Sequence, residues 1–202
     1  MIKNVIFDIG FVLVDFRWRA LMQDLGLPNE LQEIFNKTVF GSSWWSELDL
    51  GAMDPAEVLE KIREQNKDYL KELDLIWENM DKVIEPYPYA VSWIEGLKEK
   101  GFNVYLLSNY PKELFTMHEQ NGLFPFIEKT DGKVVSGFVK MVKPNADIYE
   151  YLMSQYGLNA DECVFLDDRA ENIEAAVKLG MKGIVVKNYE QASADLNNIL
   201  GL

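Results

Sequence analysis

The sequence predicts an α/β protein with a Rossmann-like parallel sheet, helices on both of its faces and an inserted all-helical segment. Short apolar runs (VIF, NVYLLSN, ECVFLDD and GIVVK) alternate with amphipathic helical patterns along the chain. Strands that alternate with helices in this way favour a parallel sheet joined by crossover helices. Between the first two runs, residues 16–85 show helical periodicity and no strand pattern.

The first strand, VIF, leads directly to Asp8. Three later helical patterns each end near a glycine, which can provide the left-handed C-terminal cap, and each leads to a strand. Their apolar faces are predicted to be Trp93, Ile94 and Leu97 before Gly101; Ile148, Tyr151 and Leu152 before Gly157; and Ile173, Ala176 and Val177 before Gly180.

The inserted segment has its own helix signals. Asp54, Pro55 and Glu57 form a predicted capping box with proline in the first turn. Apolar residues recur at helical spacing on both sides of it, at Trp18, Leu21, Met22 and Leu25; at Leu31, Ile34 and Phe35; and at Leu73, Ile76, Trp77 and Met80. We therefore predict an α/β core formed by residues 1–15 and 86–202, with residues 16–85 as a helical cap.

Composition narrows the functional classes. The chain has 202 residues, 48% of them hydrophobic and 26% charged, which suits one globular core, and it has no apolar run of 18 residues. We expect a cytoplasmic protein without a membrane partner. The net charge of -13 disfavours nucleic acid, although local positive charge can still bind a small anion. The oligomeric state stays open, and a monomer is compatible with the sequence.

Polar residues follow the predicted strands. Asp8 and Gly10 follow the first, Ser108 and Asn109 close the second, and Asp167 and Asp168 close the third. An open α/β sheet binds ligands at the carboxyl ends of its strands, so we expect these residues to converge. Lys143, just before a predicted helix, is a further basic candidate.

This set of residues indicates phosphoryl chemistry with a divalent cation. Crowded carboxylates repel one another unless a cation holds them, and oxygen ligands without cysteine or histidine favour Mg²⁺ over zinc. Lysine, hydroxyl and backbone N–H groups beside the cation form a receptor for a phosphoryl group. With Asp8 as nucleophile, transfer proceeds through an aspartyl phosphate that water hydrolyses.

Four segments, FDIGFVLVD, LLSN, VKPNADIY and VFLDDRAENIEAA, resemble in order the four motifs of the haloacid dehalogenase superfamily. The helical insertion looks like the C1 cap of its subfamily I. The DIG start, the SN pair and the DDxxxN pattern are most similar to the branch with glucose-1-phosphate phosphatases and the phosphatase domain of soluble epoxide hydrolase. The resemblance implies a Mg²⁺-dependent phosphatase for a small phosphorylated metabolite, such as the sugar phosphate glucose 1-phosphate.

The resemblance also implies a role for each matched residue. Asp8 corresponds to the nucleophile and a Mg²⁺ ligand, and Asp168 to the principal ligand from the last motif. Asp167 is a secondary ligand or acts through metal-bound water. For substrate, the corresponding residues are Ser108, which binds the transferring phosphoryl group; Asn109, which contacts substrate; and Lys143, which pairs with both nucleophile and phosphate.

Gly10 departs from the family pattern. Most phosphatases of the family carry an aspartate at this position, whose side chain protonates the leaving oxygen and whose carbonyl binds Mg²⁺. Gly10 keeps the carbonyl as a metal ligand and loses the acid, which costs roughly 10²–10⁴ in rate when the leaving group needs a proton. The replacement proton is expected from Asp15, from a metal-bound water or from a residue of the cap.

The stretch FGSSWWSELDLGAMD is the predicted specificity segment. Trp44 and Trp45 either stack on a sugar ring or bury within the cap, and Asp49 is a candidate ligand for a substrate hydroxyl. One alternative function is a 2-haloacid dehalogenase, which also uses an aspartate nucleophile but needs no metal and normally lacks the acid pair seen at Asp167 and Asp168. Another is a non-catalytic protein that binds a phosphorylated metabolite.

Overall fold

A computed structural model describes residues 1–202 and contains two sheets. Five strands form a parallel sheet in the order β5-β4-β1-β6-β7, while β2 and β3 form a separate antiparallel pair. The strands are β1 (Asn4–Phe7), β2 (Val14–Phe16), β3 (Ile84–Pro86), β4 (Asn103–Ser108), β5 (Gly132–Val135), β6 (Cys163–Asp167) and β7 (Lys182–Val185). The predicted α/β fold class is confirmed.

The α-helices fill the rest of the fold. Five lie between β2 and β3: α1 (Trp18–Asp24), α2 (Asn29–Phe35), α3 (Ser43–Leu50), α4 (Pro55–Gln65) and α5 (Leu70–Trp77). The others follow β3: α6 (Ala90–Glu99), α7 (Lys112–Gln120), α8 (Ser136–Val139), α9 (Ala146–Tyr156), α10 (Ala170–Lys178) and α11 (Tyr189–Leu200). None of them combines the length and the apolarity that a membrane crossing requires.

Both faces of the parallel sheet are covered, as alternation along β1 shows. Phe7 belongs to the larger apolar cluster, which includes Ile94 of α6 and Leu196 of α11. Ile6 points into the second cluster, with Leu152 of α9. Sheets buried on both faces have continuous apolar strands, and this is why the strand sequences carry little polar alternation.

The predicted helix ends agree with the structure, but two predicted core positions do not. Gly101, Gly157 and Gly180 all have positive φ near the ends of α6, α9 and α10. In contrast, Tyr151 and Val177 are 37% and 51% exposed. In α9, the neighbouring Tyr149 is buried instead, and its hydroxyl donates to the carbonyl of Asn172. Periodicity alone does not fix the edges of an apolar stripe, and a hydrogen-bond acceptor for the phenol favours the burial of Tyr149 over that of Tyr151.

The sequence patterns did not predict three short strands, β2, β3 and β5. The edge strand β5 has only one neighbour, β4, and includes the exposed Lys133. The pair β2 and β3 links the sheet to the five-helix segment, and its register places Asp15 opposite Glu85. The predicted boundaries of the cap fall inside these two strands. We propose that this strand pair is the junction between core and cap, and we call residues 17–83, between β2 and β3, the helical insert.

His118 connects α7 to the end of the helical insert. It is fully buried, its Nε2–H donates to the carbonyl of Met80 at 2.8 Å, and its Nδ1 therefore accepts from the Tyr110 hydroxyl at 2.7 Å. Burial lowers the pKa of His118, and the bond to Met80 opposes that shift only in part. His118 is thus neutral in the folded protein near pH 7.

This lowered pKa predicts a loss of stability in acid. The unfolded chain binds a proton at His118 below about pH 6.5, whereas the folded chain resists it, so the free energy of unfolding falls as the pH drops from about 6.5 through the folded pKa. We expect the urea midpoint of the native protein to fall more than that of His118→Gln between about pH 8 and about pH 5. An equal fall in both proteins would contradict the prediction.

Candidate active site

Asp8 lies directly after β1, at the carboxyl edge of the sheet. Its backbone N–H extends the sheet by donating to the carbonyl of Leu166, and the residue is only 7% exposed. The Oδ1 atom accepts from the N–H of Ile9 at 2.7 Å and lies 2.9 Å from the Nζ atom of Lys143. The Oδ2 atom accepts no hydrogen bond from the protein, so one carboxylate oxygen stays available for a ligand.

Lys143 lies in the loop before α9, and its ammonium group is buried among three acceptors. Nζ contacts Asp8 Oδ1 at 2.9 Å, Asp167 Oδ2 at 2.7 Å and the carbonyl of Leu107 at 2.9 Å. Burial by itself lowers the pKa of Lys143, but the two carboxylates outweigh it and hold the pKa above its ordinary value. Lys143 is therefore a fixed positive charge beside Asp8.

The acidic side chains of the site are crowded. Burial raises the pKa of Asp8 to about 7, with Lys143 opposing the shift and the charges of Asp167 and Asp168 adding to it. Burial, followed by the charge of Asp167, likewise raises the pKa of Asp168 to about 6. The raised pKa values mean that burial and mutual repulsion disfavour the charged forms of Asp8 and Asp168. A bound cation would reduce this cost.

Asp167 is completely buried and fully engaged by protein donors. Its Oδ1 accepts from the N–H of Arg169 at 2.8 Å and from the Asn172 amide at 2.9 Å, while its Oδ2 binds Lys143. Asp167 does not line the cavity described below. Its geometry indicates a role that the sequence did not predict, which is to hold Lys143 in place, while its predicted role as a secondary metal ligand stays a prediction.

Ser108 and Asn109 close β4 and differ in how their side chains are used. The hydroxyl of Ser108 makes no hydrogen bond within the protein. Asn109 forms a two-bond pair with the main chain of Lys143, accepting from its N–H and donating to its carbonyl, both at 2.9 Å. Ser108 is thus available to a phosphoryl oxygen, while Asn109 fixes the loop that carries Lys143.

A cavity of about 220 Å³ lies between the carboxyl edge of the sheet and the helical insert. Six of the site residues predicted at the strand ends and before α9 line it: Asp8, Gly10, Ser108, Asn109, Lys143 and Asp168. Its remaining polar lining includes Arg169, Asn172 and Asp49, and its apolar wall includes Phe11, Phe16, Phe40, Trp45 and Leu114. The structure therefore brings the polar residues predicted from separate strands into one pocket.

Trp44 and Trp45 are adjacent in the sequence but lie on different sides of the helical insert. Trp45 lines the cavity and packs on Phe40, with ring centroids 5.1 Å apart, whereas Trp44 lies beside Lys37 and Lys61 in a groove on another side of the insert. Consecutive residues on an α-helix point about 100° apart, so both cannot face one cavity. Asp49, one turn after Trp45, shares its side of α3 and also lines the cavity.

The residues present fit a hard divalent cation. Asp8, Asp167 and Asp168 each place a carboxylate oxygen within 4.8 Å of the others. Beside them, Asn172 Oδ1 is buried without a hydrogen-bond partner, although the amide nitrogen of the same side chain binds Asp167. Such an oxygen-only set can bind a cation of the Mg²⁺ type.

Sequence reasoning did not select several residues of the cavity. Arg169 follows directly after the acid pair, so its position in the motif could have indicated it. Phe11 follows Gly10 and has a φ of 55°, an uncommon backbone conformation for a phenylalanine. Phe40 lies in a π-helical turn over Asn36–Phe40, and no local signal marks it as a cavity residue.

Comparison with known proteins assigns the family. A family model described as haloacid dehalogenase-like hydrolase matches residues 2–180. The chain therefore belongs to the haloacid dehalogenase-like hydrolases and is a hydrolase.

Individual relatives give more detail. The sesquiterpene phosphatase AstK of Aspergillus oryzae is 27% identical over 203 residues, which cover 98% of this chain and 97% of that protein. A haloacid dehalogenase family enzyme of Bacteroides thetaiotaomicron, solved with magnesium and inorganic phosphate, aligns with a TM-score of 0.69 and 25% identity over 93% of this chain and 95% of its own.

The L-2-haloacid dehalogenase of Xanthobacter autotrophicus, solved with chloropropionic acid covalently bound, also has a TM-score of 0.69. Its identity is 18%, over 98% of this chain and 83% of its own, and this likeness shows the fold alone. Because one fold can support different reactions, the residues of the site, and not the fold, are the basis for choosing between phosphate esters and haloacids as substrates.

Proposed function

We propose that this hydrolase is a Mg²⁺-dependent phosphatase that cleaves a small phosphate monoester through an aspartyl phosphate on Asp8. The observation that carries the proposal is the ion pair between Asp8 and the buried Lys143, beside the acid pair Asp167 and Asp168. A phosphoryl group needs both the positive charge and a cation, whereas a dehalogenase needs no metal. The similarity to a phosphatase, and to an enzyme solved with magnesium and phosphate, supports the same choice.

Each residue of the site has its own role in the proposed reaction. Asp8 attacks phosphorus and forms a P–O bond while the bond to the leaving oxygen breaks. Lys143 and the free hydroxyl of Ser108 bind the oxygens of the phosphoryl group during transfer, and water then hydrolyses the aspartyl phosphate and restores Asp8. A Mg²⁺ ion held by Asp8, Asp168 and the carbonyl of Gly10 would supply charge neutralisation for the phosphoryl oxygens.

The lining and the volume of the cavity bear on the leaving group of the substrate. A sugar phosphate such as glucose 1-phosphate, the class predicted from the sequence, stays a prediction. The aromatic wall of Phe11, Phe40 and Trp45 favours a leaving group with an apolar surface, and the similarity to a sesquiterpene phosphatase points the same way. The volume of about 220 Å³ is below the roughly 300–1,000 Å³ of common ligand pockets, which favours a small ester.

The test is a substrate panel with and without Mg²⁺. We expect phosphate release from dimethylallyl and geranyl monophosphate that stops when EDTA removes the cation. Two buried methylene groups are worth about 1.6 kcal/mol, so kcat/KM for these esters should exceed that for glucose 1-phosphate by about tenfold or more. No chloride should be released from 2-chloropropionate.

Other outcomes identify the alternatives. Chloride release without a metal would support the dehalogenase. Binding of inorganic phosphate, measured by calorimetry, without turnover of any ester would support a non-catalytic binding protein. A higher kcat/KM for glucose 1-phosphate would retain the phosphatase and replace the apolar ester by a sugar phosphate.

A further inference from the structure

Asp49 is an acidic residue that the helical insert contributes to the cavity. It lies near the end of α3 and lines the same pocket as Asp8 and Lys143. Its carboxyl group accepts no hydrogen bond from the protein and takes part in no ion pair. Asp49 is half-buried, and an acid in an active-site cavity that has no partner within the protein is a candidate for a catalytic role.

Residues that follow strands of the parallel sheet fix the position of Asp49. Its carbonyl accepts a hydrogen bond from Ser136 Oγ, which in turn accepts from the N–H of Tyr110 at 2.9 Å. Gly51, with a φ of 64°, ends α3 so close to Gly137 that a Cβ atom would lie 2.7 Å from the carbonyl oxygen of Gly137. These contacts fix the end of α3 against the segment after β5, and they place Asp49 relative to the strand ends.

Asp49 is the one acid of the cavity to which the proposed function gives no role. Three acids line the cavity, Asp8, Asp49 and Asp168, and the proposed function uses Asp8 as nucleophile and Asp168 as metal ligand. Asp15, the other acid considered from the sequence, lies on β2 opposite Glu85 and does not line the cavity. At Gly10 there is no side chain, and no atom lies within 4 Å of where a Cβ would stand.

We propose that Asp49 is the general acid that protonates the leaving oxygen, an inference that rests on the proposed phosphatase function. As the phosphoryl group bonds to Asp8, the electron pair of the broken P–O bond goes to the leaving oxygen, which takes the proton of Asp49 and departs as an alcohol. The Asp49 carboxylate then takes a proton from the water that attacks the aspartyl phosphate. Phosphate leaves, and both carboxyl groups return to their starting states.

The electrostatics of Asp49 are compatible with this role. Burial, followed by the negative charge of Asp8, raises its pKa to about 7, while Lys143 and Arg169 oppose the shift. A general acid works best when its pKa is near the working pH. Asp49 can therefore hold a proton near neutral pH and also accept one.

The experiment compares esters that differ in their need for a proton. With Mg²⁺ present, we expect Asp49→Asn to lower kcat for geranyl monophosphate by about 10²–10⁴ and to leave p-nitrophenyl phosphate within about tenfold, because nitrophenolate leaves without a proton. Glu47→Gln is the matched control, since Glu47 lies on the same helix and outside the cavity. It should change neither rate.

A second variant separates proton donation from a positioning role. Gly10→Asp restores an acid where there is room for one, and in the Asp49→Asn background it should recover at least about tenfold in kcat for the alkyl ester. An equal loss with both esters, no loss with either, or a double variant no faster than Asp49→Asn would overturn the assignment of Asp49. If the native protein releases phosphate from neither ester, the proposed function itself fails.

Discussion

Asp8→Asn is expected to lower phosphate release by at least about 10⁴-fold, because the amide keeps the shape of the side chain but cannot form the acyl phosphate. The same variant should yield no labelled protein when a reaction with a ³²P-labelled ester is quenched in acid, whereas the native protein should be labelled. Both results follow from the position of Asp8 at the end of β1, beside Lys143 and inside the cavity.

Asp15→Asn is a matched control for this change. Asp15 also follows the first strand, but it lies on β2 outside the cavity, and its replacement should leave turnover near the native rate. Native turnover in Asp8→Asn, or acid-stable label on that variant, would show that another group is the nucleophile.

Lys143→Met is expected to lower the free energy of unfolding by about 3–5 kcal/mol in the absence of divalent cations. Removing the ammonium group leaves Asp8 and Asp167 buried without their shared partner, and both are acids at the same point of the fold. Urea unfolding of the native protein and the variant, each in EDTA, measures the difference. Turnover should also fall strongly, because Lys143 binds the phosphoryl group.

The control for this prediction is Lys178→Met. Lys178 is exposed near the end of α10 and forms no salt bridge, so its replacement should change stability by no more than about 0.5 kcal/mol. A similar small effect of Lys143→Met would contradict the role assigned to the buried ion pairs.

Much of the candidate site could be predicted because it depends on strand ends. Asp8, Ser108 and Asp168 each lie at the end of a strand that is recognisable from a short apolar run, and parallel strands bring their carboxyl ends to one edge. The further roles of Asn109 and Asp167 could not be derived in this way. Both side chains hold Lys143, which is 34 and 24 positions away in the chain, and local patterns do not encode such partners.

The elements that sequence reasoning missed have a related cause. The strand β5 is short and at the edge of the sheet, so it exists through its pairing with β4 more than through its own residues. The exposure of Tyr151 and the burial of Tyr149 depend on whether a hydrogen-bond acceptor is available, here the carbonyl of Asn172.

The sequence by itself determined the α/β class, the helical character of residues 16–85 except at their two ends, and the set of polar residues at the strand ends, because these follow from periodicity and from the geometry of parallel strands. Only the tertiary structure decided which side of α3 faces Asp8, and so placed Trp45 and Asp49 in the cavity and Trp44 outside it. The physical reason is that the placement of the insert over the sheet depends on long-range contacts, such as those of Ser136 and Gly137 with the end of α3.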